Sequence, residues 1–176
     1  MLKRGYVAAT AAFGMLTMAG LSCEPTNQGY APTQPVAYSH AVHAGAMQIP
    51  CQYCHYTASR GRHAGIPPAQ LCMNCHEQVK KDNPEVLKIK AALDSGEPIR
   101  WIRVHEVPDH VYFNHSAHVN GGVECAECHG EVSKMGRVEQ WAPLTMGWCL
   151  DCHRGEPDAK LQDRGGPLTD CAVCHH

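Results

Sequence analysis

The chain contains five copies of the pentapeptide CxxCH, in which two cysteines three positions apart are followed directly by a histidine. Two such thiols can each form a thioether to one vinyl group of a haem, and the adjacent imidazole can ligate the iron from the same side. Random placement of 11 Cys and 13 His would give on the order of 0.05 copies in the whole chain. The five copies are Cys51, Cys54 and His55; Cys72, Cys75 and His76; Cys125, Cys128 and His129; Cys149, Cys152 and His153; and Cys171, Cys174 and His175.

Structural zinc and disulfides are the alternative uses of paired cysteines. Zinc explains the thiols but not the histidine that follows every second cysteine. A chain that folds outside the cytosol also meets oxidising conditions, in which free zinc thiolates are a poor choice. The haem interpretation uses ten of the eleven cysteines and leaves Cys23. We therefore expect five covalently bound c-type haems, with the five motif histidines as proximal iron ligands.

The composition predicts a mainly α fold with extensive loops built around cofactors. The chain has only two Phe and six Tyr but 16 Gly and 12 Pro, and five haems leave roughly 35 residues for each. So few large apolar groups cannot offset the entropy of ordering, and the porphyrins must supply much of the core. The net charge is −2 and the basic residues form no stripe, so no nucleic-acid partner is expected.

The N-terminus predicts export. Lys3 and Arg4 precede an apolar run from Val7 to Leu21, which ends at Ser22 and Cys23. The run is shorter than the ~20 residues that cross a bilayer comfortably. The segment resembles a bacterial lipoprotein signal, which would make Cys23 the lipidated N-terminus; a retained membrane anchor and simple secretion are the alternatives. We expect the protein at the periplasmic (outer) face of the bacterial inner membrane, anchored through its N-terminus.

An internal duplication divides the rest of the chain. An aromatic residue and an HxxH pair, Tyr38 with His40 and His43, recur about 75 residues later as Phe113 with His115 and His118. Two CxxCH motifs follow each pair, which predicts two di-haem modules plus a C-terminal haem. The expected parts are a signal or membrane-anchor segment (1–22), a Pro- and Thr-rich tether (23–36), the first module (37–96), the second module (97–155) and a fifth-haem segment (156–176).

One helix is predicted between the CxxCH motifs of the two modules. Asn83 is a good N-cap, Pro84 suits the first helical position, apolar residues follow at helical spacing, and Gly96 can close the C-terminus. We expect this helix to have a structural role.

Eight further histidines are available for the five distal positions on the opposite side of each iron from the motif histidine. This surplus favours six-coordinate haems, which transfer electrons without binding a substrate. Histidines three apart on one helical turn start at different heights and can reach two different irons. The eight are His40, His43, His63, His105, His110, His115, His118 and His176.

The HxxH pair before CxxCH resembles the class III multihaem cytochromes of the c3 and c7 type. The resemblance implies that His40 pairs with the haem of His55, His43 with that of His76, His115 with that of His129, and His118 with that of His153. The haem of His175 then needs His63, His105, His110 or a Met. Among the methionines Met146 is the one that we favour, and packing in the core is its alternative role. A Met ligand would raise the potential of that haem relative to its neighbours with two His ligands.

Three stretches, IPCQYCHYTASRGRHAGIPPAQLCMNCH, WIRVHEVPDHVYFNHSAHVNGGVECAECHG and LTMGWCLDCHR, are similar to the pentahaem cytochrome c subunit of alternative complex III. That resemblance implies an electron-transfer subunit of a respiratory quinol oxidoreductase, with no catalytic activity alone. Its implied partners are an iron–sulfur subunit of the molybdopterin-enzyme type, integral membrane quinol-binding subunits, and a monohaem cytochrome c or terminal oxidase as acceptor. A related hexahaem subunit occurs in a menaquinone reductase complex, and the count of five motifs argues against it. The alternative function is a freestanding periplasmic multihaem reductase or electron shuttle.

Overall fold

The computed structural model describes residues 26–155 and 169–175. The expected signal or anchor segment, Cys23, residues 156–168 and His176 lie outside the described residues. Within the described ranges the secondary structure is helical, and the strand-like pairing there is an isolated antiparallel bridge between Val111 and His175. The expectation of a mainly α chain with extensive loops is confirmed. None of the described helices has the length and apolar character needed to cross a membrane.

The motifs coincide with short helices. Helix geometry places residues three apart on the same face, so the two thiols of a CxxC pair project to one side. The helices are α1 (Cys51–Cys54), α2 (Ala69–His76), α3 (Pro84–Ser95), α4 (His115–Asn120), α5 (Cys125–His129), α6 (Met146–His153) and α7 (Cys171–Cys174), together with a π-helix (Ala41–Ala46) and a 3-10 helix (Val132–Lys134).

The predicted helix between the motifs is confirmed as α3. The Asn83 side chain accepts a hydrogen bond from the Glu85 backbone N–H, Pro84 is the first residue, and Gly96 ends the helix at a φ of 73°. Val86 and Ile89 are buried on the helix, which contacts α2. Helix α3 therefore supports the second CxxCH motif, which ends α2.

The segment expected to be a tether lies against the haem-binding part of the chain from Gln28 onward. The Gln34 side chain donates to the Ile102 carbonyl and accepts from the Ile102 N–H, each at 2.9 Å. Val36 is buried, and the Ala37 N–H donates to a Glu85 carboxylate oxygen at 2.7 Å. The side-chain amide of Gln34 carries both a donor and an acceptor, so it makes with Ile102 the two hydrogen bonds that the backbone of a neighbouring strand would make.

Gln140 is the buried polar centre of this docking. Its backbone accepts from Gly29 N–H at 2.7 Å and donates to the Tyr30 carbonyl at 3.0 Å. Its side-chain oxygen accepts from the Glu106 N–H at 3.2 Å. Its side-chain N–H donates to the Ala142 carbonyl at 3.2 Å, so both ends of the side-chain amide are hydrogen-bonded in a residue that is only 1% exposed. The backbone bonds join Gly29 and Tyr30 to the chain that precedes α6, and the side-chain oxygen joins it to the chain that precedes α4.

The apolar core of the described residues is small. Its buried members are Val36, Ala58, Val86, Ile89 and Ala142. A core of this size cannot stabilise a domain of this length, which agrees with the expectation that porphyrins complete it.

Candidate haem-binding sites

The ten motif cysteines are all free thiols in the structure. Burial, followed by the nearby thiols of Cys152 and Cys149, raises the pKa of Cys128 to about 11. Burial likewise raises the pKa values of Cys54 and Cys72. Thiolates are disfavoured in these surroundings, whereas a thioether carries no charge to desolvate. The sulfur positions thus suit covalent attachment of an apolar group.

Three pairs of imidazoles have the spacing of two ligands on one iron. A transition metal lies about 2 Å from a ligating imidazole nitrogen, so two imidazoles on opposite sides of it place their ring centres roughly 6.3 Å apart. The observed ring-centre distances are 6.1 Å for His43 and His76, 6.4 Å for His115 and His129, and 5.9 Å for His118 and His153. These are three of the four pairings that the c3/c7 resemblance implies.

The fourth implied pair, His40 and His55, is also brought together. Burial and then the positive charge that His55 can carry lower the pKa of His40 to about 4, so the two rings are close enough to interact. A lowered pKa keeps His40 neutral, and neutral imidazole is the form that ligates a metal.

The structure places His110 opposite the fifth motif. The ring centres of His110 and His175 lie 5.5 Å apart with their planes at 22°. The Val111–His175 bridge and a 2.7 Å hydrogen bond from Tyr112 N–H to the Cys174 carbonyl hold the two segments together. His110 was among the ligands predicted for the fifth haem, although Met146 was favoured.

The other candidates for the fifth haem lie elsewhere. Met146 begins α6 and is 64% exposed, and His63 is exposed on a loop. His105 packs edge-on against His129 at a ring-centre distance of 4.3 Å, which leaves no room for an iron between them. His105 therefore belongs to the surroundings of the third motif, where its Nε2 is buried without a hydrogen-bond partner.

Backbone carbonyls orient the histidines. A carbonyl can only accept, so each of these Nδ1 atoms must carry the proton, which leaves Nε2 with its lone pair for a metal. The distances from Nδ1 to the carbonyl oxygen are 2.9 Å for His43 and Ser39, 2.7 Å for His55 and Gly65, 2.9 Å for His76 and Val79, 2.8 Å for His115 and Arg62, and 2.8 Å for His118 and Asn114.

An aromatic ring separates the two histidines of each HxxH pair. Tyr38 meets His40 edge-on at 4.8 Å and stacks on His43 at 4.4 Å. Phe113 meets His115 edge-on at 4.8 Å and stacks on His118 at 4.5 Å. The same arrangement occurs in both modules, and in each of them one aromatic ring fixes the orientations of two histidines that are candidate distal ligands.

Residues 26–155 and 169–175 contain no group of three or more His, Cys, Asp or Glu side chains that could hold a metal ion. A haem iron needs only two protein ligands, because the porphyrin supplies the other four. Pairs of imidazoles beside CxxC thiols are therefore the arrangement that suits haem, and the residues present fit that group.

Two comparisons with known proteins bear on this site. Residues 111–176 match the family of cytochrome c7 and related cytochrome c. A stretch of 97 residues, 54% of the chain, is 35% identical to the multihaem cytochrome c subunit of menaquinone reductase from Nitratidesulfovibrio vulgaris, and the match covers 45% of that relative's length. The chain thus spans less than half of this relative. Together with the paired imidazoles, these matches support a c7-like multihaem cytochrome c that carries covalently bound c-type haem and transfers electrons.

Proposed function

We propose that this chain is the electron-transfer subunit of a membrane-bound quinol oxidoreductase of the alternative complex III type. It relays electrons through five c-type haems from an iron–sulfur subunit toward a cytochrome c or terminal oxidase. The observation that carries this proposal is that all five motif histidines have an imidazole partner nearby, four of them at ring-centre distances of 5.5 to 6.4 Å. Five six-coordinate haems form a relay, because none of them offers an open position to a substrate.

The proposed axial pairs assign both sides of each iron. They are His55 with His40, His76 with His43, His129 with His115, His153 with His118, and His175 with His110. His110 takes the position for which Met146 was favoured, because the His110 ring faces the His175 ring at a ring-centre distance of 5.5 Å. His63 and His105 are left without an iron.

Bound haem supplies reversible one-electron chemistry. The residues of the chain fix where that chemistry takes place. The motif cysteines would hold each porphyrin covalently, and the second imidazole would keep water and small substrates from the iron. Hydrogen bonds from Nδ1 set the direction of Nε2 in His43, His55, His76, His115 and His118. Tyr38 and Phe113 each hold two of the distal imidazoles in place.

The partners follow from the resemblance and from the relative. The relative's name assigns it to a menaquinone reductase, so a quinone-reactive membrane complex is the setting that both suggest. The two settings differ in direction, since a quinol oxidoreductase takes electrons from the quinone pool and a menaquinone reductase delivers them to it. Of the two, we propose the quinol oxidoreductase, with five motifs matching its pentahaem subunit. Lipidation of Cys23 would anchor the chain at the periplasmic face.

Purification of the native protein in mild detergent tests this function. We expect an iron–sulfur subunit and integral membrane subunits to co-purify, and quinol to reduce the haems only when those subunits are present. Oxidation of the reduced haems by quinone, with no reduction of the haems by quinol, would favour the menaquinone reductase. Quinol oxidation by the isolated haem-loaded chain at the rate of the complex would refute the relay and favour a freestanding enzyme.

A further inference from the structure

We infer that the five CxxCH motifs, numbered 1 to 5 along the chain, lie in space in the order 2, 1, 3, 4, 5, so that electrons enter and leave at motifs 2 and 5. The inference rests on the proposed function in one respect, since it takes each motif to carry a haem. Chain order would instead make motif 2 the neighbour of motif 3. The contacts between motifs decide between the two orders.

Motifs 1 and 2 are direct neighbours. Asn74, inside motif 2, donates from its side-chain amide to the hydroxyl of Tyr53, inside motif 1, at 3.5 Å. The ring of Tyr38 contacts both His40 and His43, the distal partners of the two motifs.

The loop that directly follows motif 1 contacts the second module. The loop that follows motif 1 accepts three hydrogen bonds from α4: His115 Nδ1 to the Arg62 carbonyl at 2.8 Å, Ser116 N–H to the Gly61 carbonyl at 3.1 Å, and the Asn120 amide to the Ser59 carbonyl at 3.0 Å. His115 is the distal partner of motif 3. The backbone after motif 1 therefore orients a ligand of motif 3.

A cysteine pair places the same junction at the motifs themselves. The side chains of Cys51, in motif 1, and Cys125, in motif 3, are hydrogen-bonded to each other. The first cysteine of motif 3 thus has its partner in motif 1.

Motifs 3 and 4 share Phe113, which contacts His115 and His118. Motif 5 lies against the same module: the Val111–His175 bridge and the 2.7 Å hydrogen bond from Tyr112 N–H to the Cys174 carbonyl dock it on the segment just before Phe113. After burial, the thiol of Cys174 is also the next cause that raises the pKa of Cys149, in motif 4. Together these contacts favour the order 2, 1, 3, 4, 5.

The order has a consequence for the partners. Motifs 1 and 3 form the junction between the two modules, so every electron that crosses the protein passes through both. Motifs 2 and 5 are the ends of the path, and the electron donor and acceptor must approach these two haems.

Iron positions in the isolated, haem-loaded chain test the order directly. In an anomalous-scattering map we expect the iron of motif 1 to lie between those of motifs 2 and 3. An iron of motif 2 that lies nearer to the iron of motif 3 than the iron of motif 1 does would overturn the inference. So would a motif 5 iron that neighbours motif 2.

A matched pair of variants gives a second, spectroscopic readout. His40→Gly and His43→Gly each convert one haem, of motif 1 or motif 2 respectively, to a five-coordinate high-spin state, whose electron spin broadens the EPR signals of adjacent low-spin haems. We expect two broadened neighbours in His40→Gly and one in His43→Gly. Chain order requires the reverse, one and two. Both tests use the isolated chain, so a failure to assemble with a quinone-reactive complex would refute the proposed function and not the motif order.

Discussion

The imidazole planes of His115 and His129 lie within 9° of parallel at a ring-centre distance of 6.4 Å. The pairs His43 with His76 and His118 with His153 have similar separations but planes inclined at 60° and 45°. The relative orientation of two axial imidazoles controls how strongly they split the iron d orbitals, and parallel planes split them most. The haems are therefore expected to be distinguishable by spectroscopy although their ligands are chemically the same.

Replacement of His115 by Ala should remove the most rhombic low-spin EPR signal and leave all five haems attached, because the thioethers do not depend on the distal ligand. One haem should become five-coordinate and bind carbon monoxide. His63→Ala is the matched control, since His63 is exposed and has no proposed iron. Carbon monoxide binding in the control, or none in His115→Ala, would contradict the assignment.

Two variants decide between His110 and Met146 as the ligand of the fifth haem. We expect His110→Ala to open one carbon monoxide site and Met146→Ala to open none, because it is the His110 ring that faces the His175 ring, at a ring-centre distance of 5.5 Å. The wild type should then lack the near-infrared charge-transfer band of a Met-ligated haem. A band that disappears in Met146→Ala would restore the ligand that the sequence favoured.

We expect the aromatic ring of Tyr38, and not its hydroxyl, to hold His40 and His43 in place. Tyr38→Phe should be tolerated, because Phe113 makes the same two contacts without a hydroxyl. Tyr38→Ala removes a half-buried ring between two imidazoles and should lower the free energy of unfolding by about 2 kcal/mol. EPR should report a changed geometry at the haems of both His40 and His43. A change at one haem alone would show that the ring does not hold both ligands.

Gly45 lies where the π-helix meets the 3-10 helix. A Cβ added there would clash with the Ser133 carbonyl oxygen, and backbone must move to relieve that clash. Gly45→Ala should therefore destabilise the haem-loaded protein by roughly 1 to 3 kcal/mol. Gly136→Ala, at a position with open space around the new Cβ, is the control in the same thermal denaturation. Equal melting temperatures for the two variants would argue against this close approach.

The docked N-terminal segment should loosen at acidic pH. Hydrogen bonds from Lys88 and then from the Ala37 N–H lower the pKa of Glu85 below its usual 4.5. A carboxylate whose pKa is depressed by folding stabilises the folded state above its unfolded pKa, and that contribution is lost as the pH falls through the folded value.

Hydrogen exchange at the Ala37 amide measures this loosening. Protection should fall as the pH drops below about 4.5, and Glu85→Gln should abolish that dependence. Asp94→Asn is the matched control, because Asp94 lies on the same helix and pairs with a lysine but holds no distant backbone group. The same loss of pH dependence in Asp94→Asn would mean that the effect belongs to the charge of α3 as a whole.

Local signals in the sequence were sufficient for much of the fold and site. The caps of α3 at Asn83 and Gly96 are short-range features and were predicted correctly. The HxxH pairs stand close to their motifs in the chain, so the c3/c7 resemblance could imply which imidazoles meet. The observed pairs follow that implication for His43, His115 and His118.

Long-range contacts could not be predicted in this way. His110 reaches His175 through a bridge that joins residues 64 positions apart, Val111 and His175, and no periodicity signals that pairing. The hydrogen bonds between Gln34 and Ile102 also join residues that are far apart in the chain. A segment rich in Pro and Thr predicts a tether, and nothing in its own sequence indicates which residues it contacts. The sequence resemblance already included a related subunit of a menaquinone reductase complex, and such a protein is among the relatives.

The mass of the denatured, mature protein counts the haems directly, because covalent haems stay attached when the fold is lost. We expect the mass of the processed polypeptide plus five haems, with all ten motif thiols alkylated. A mass that corresponds to any other number of haems, or free thiols within any of the five motifs, would contradict it.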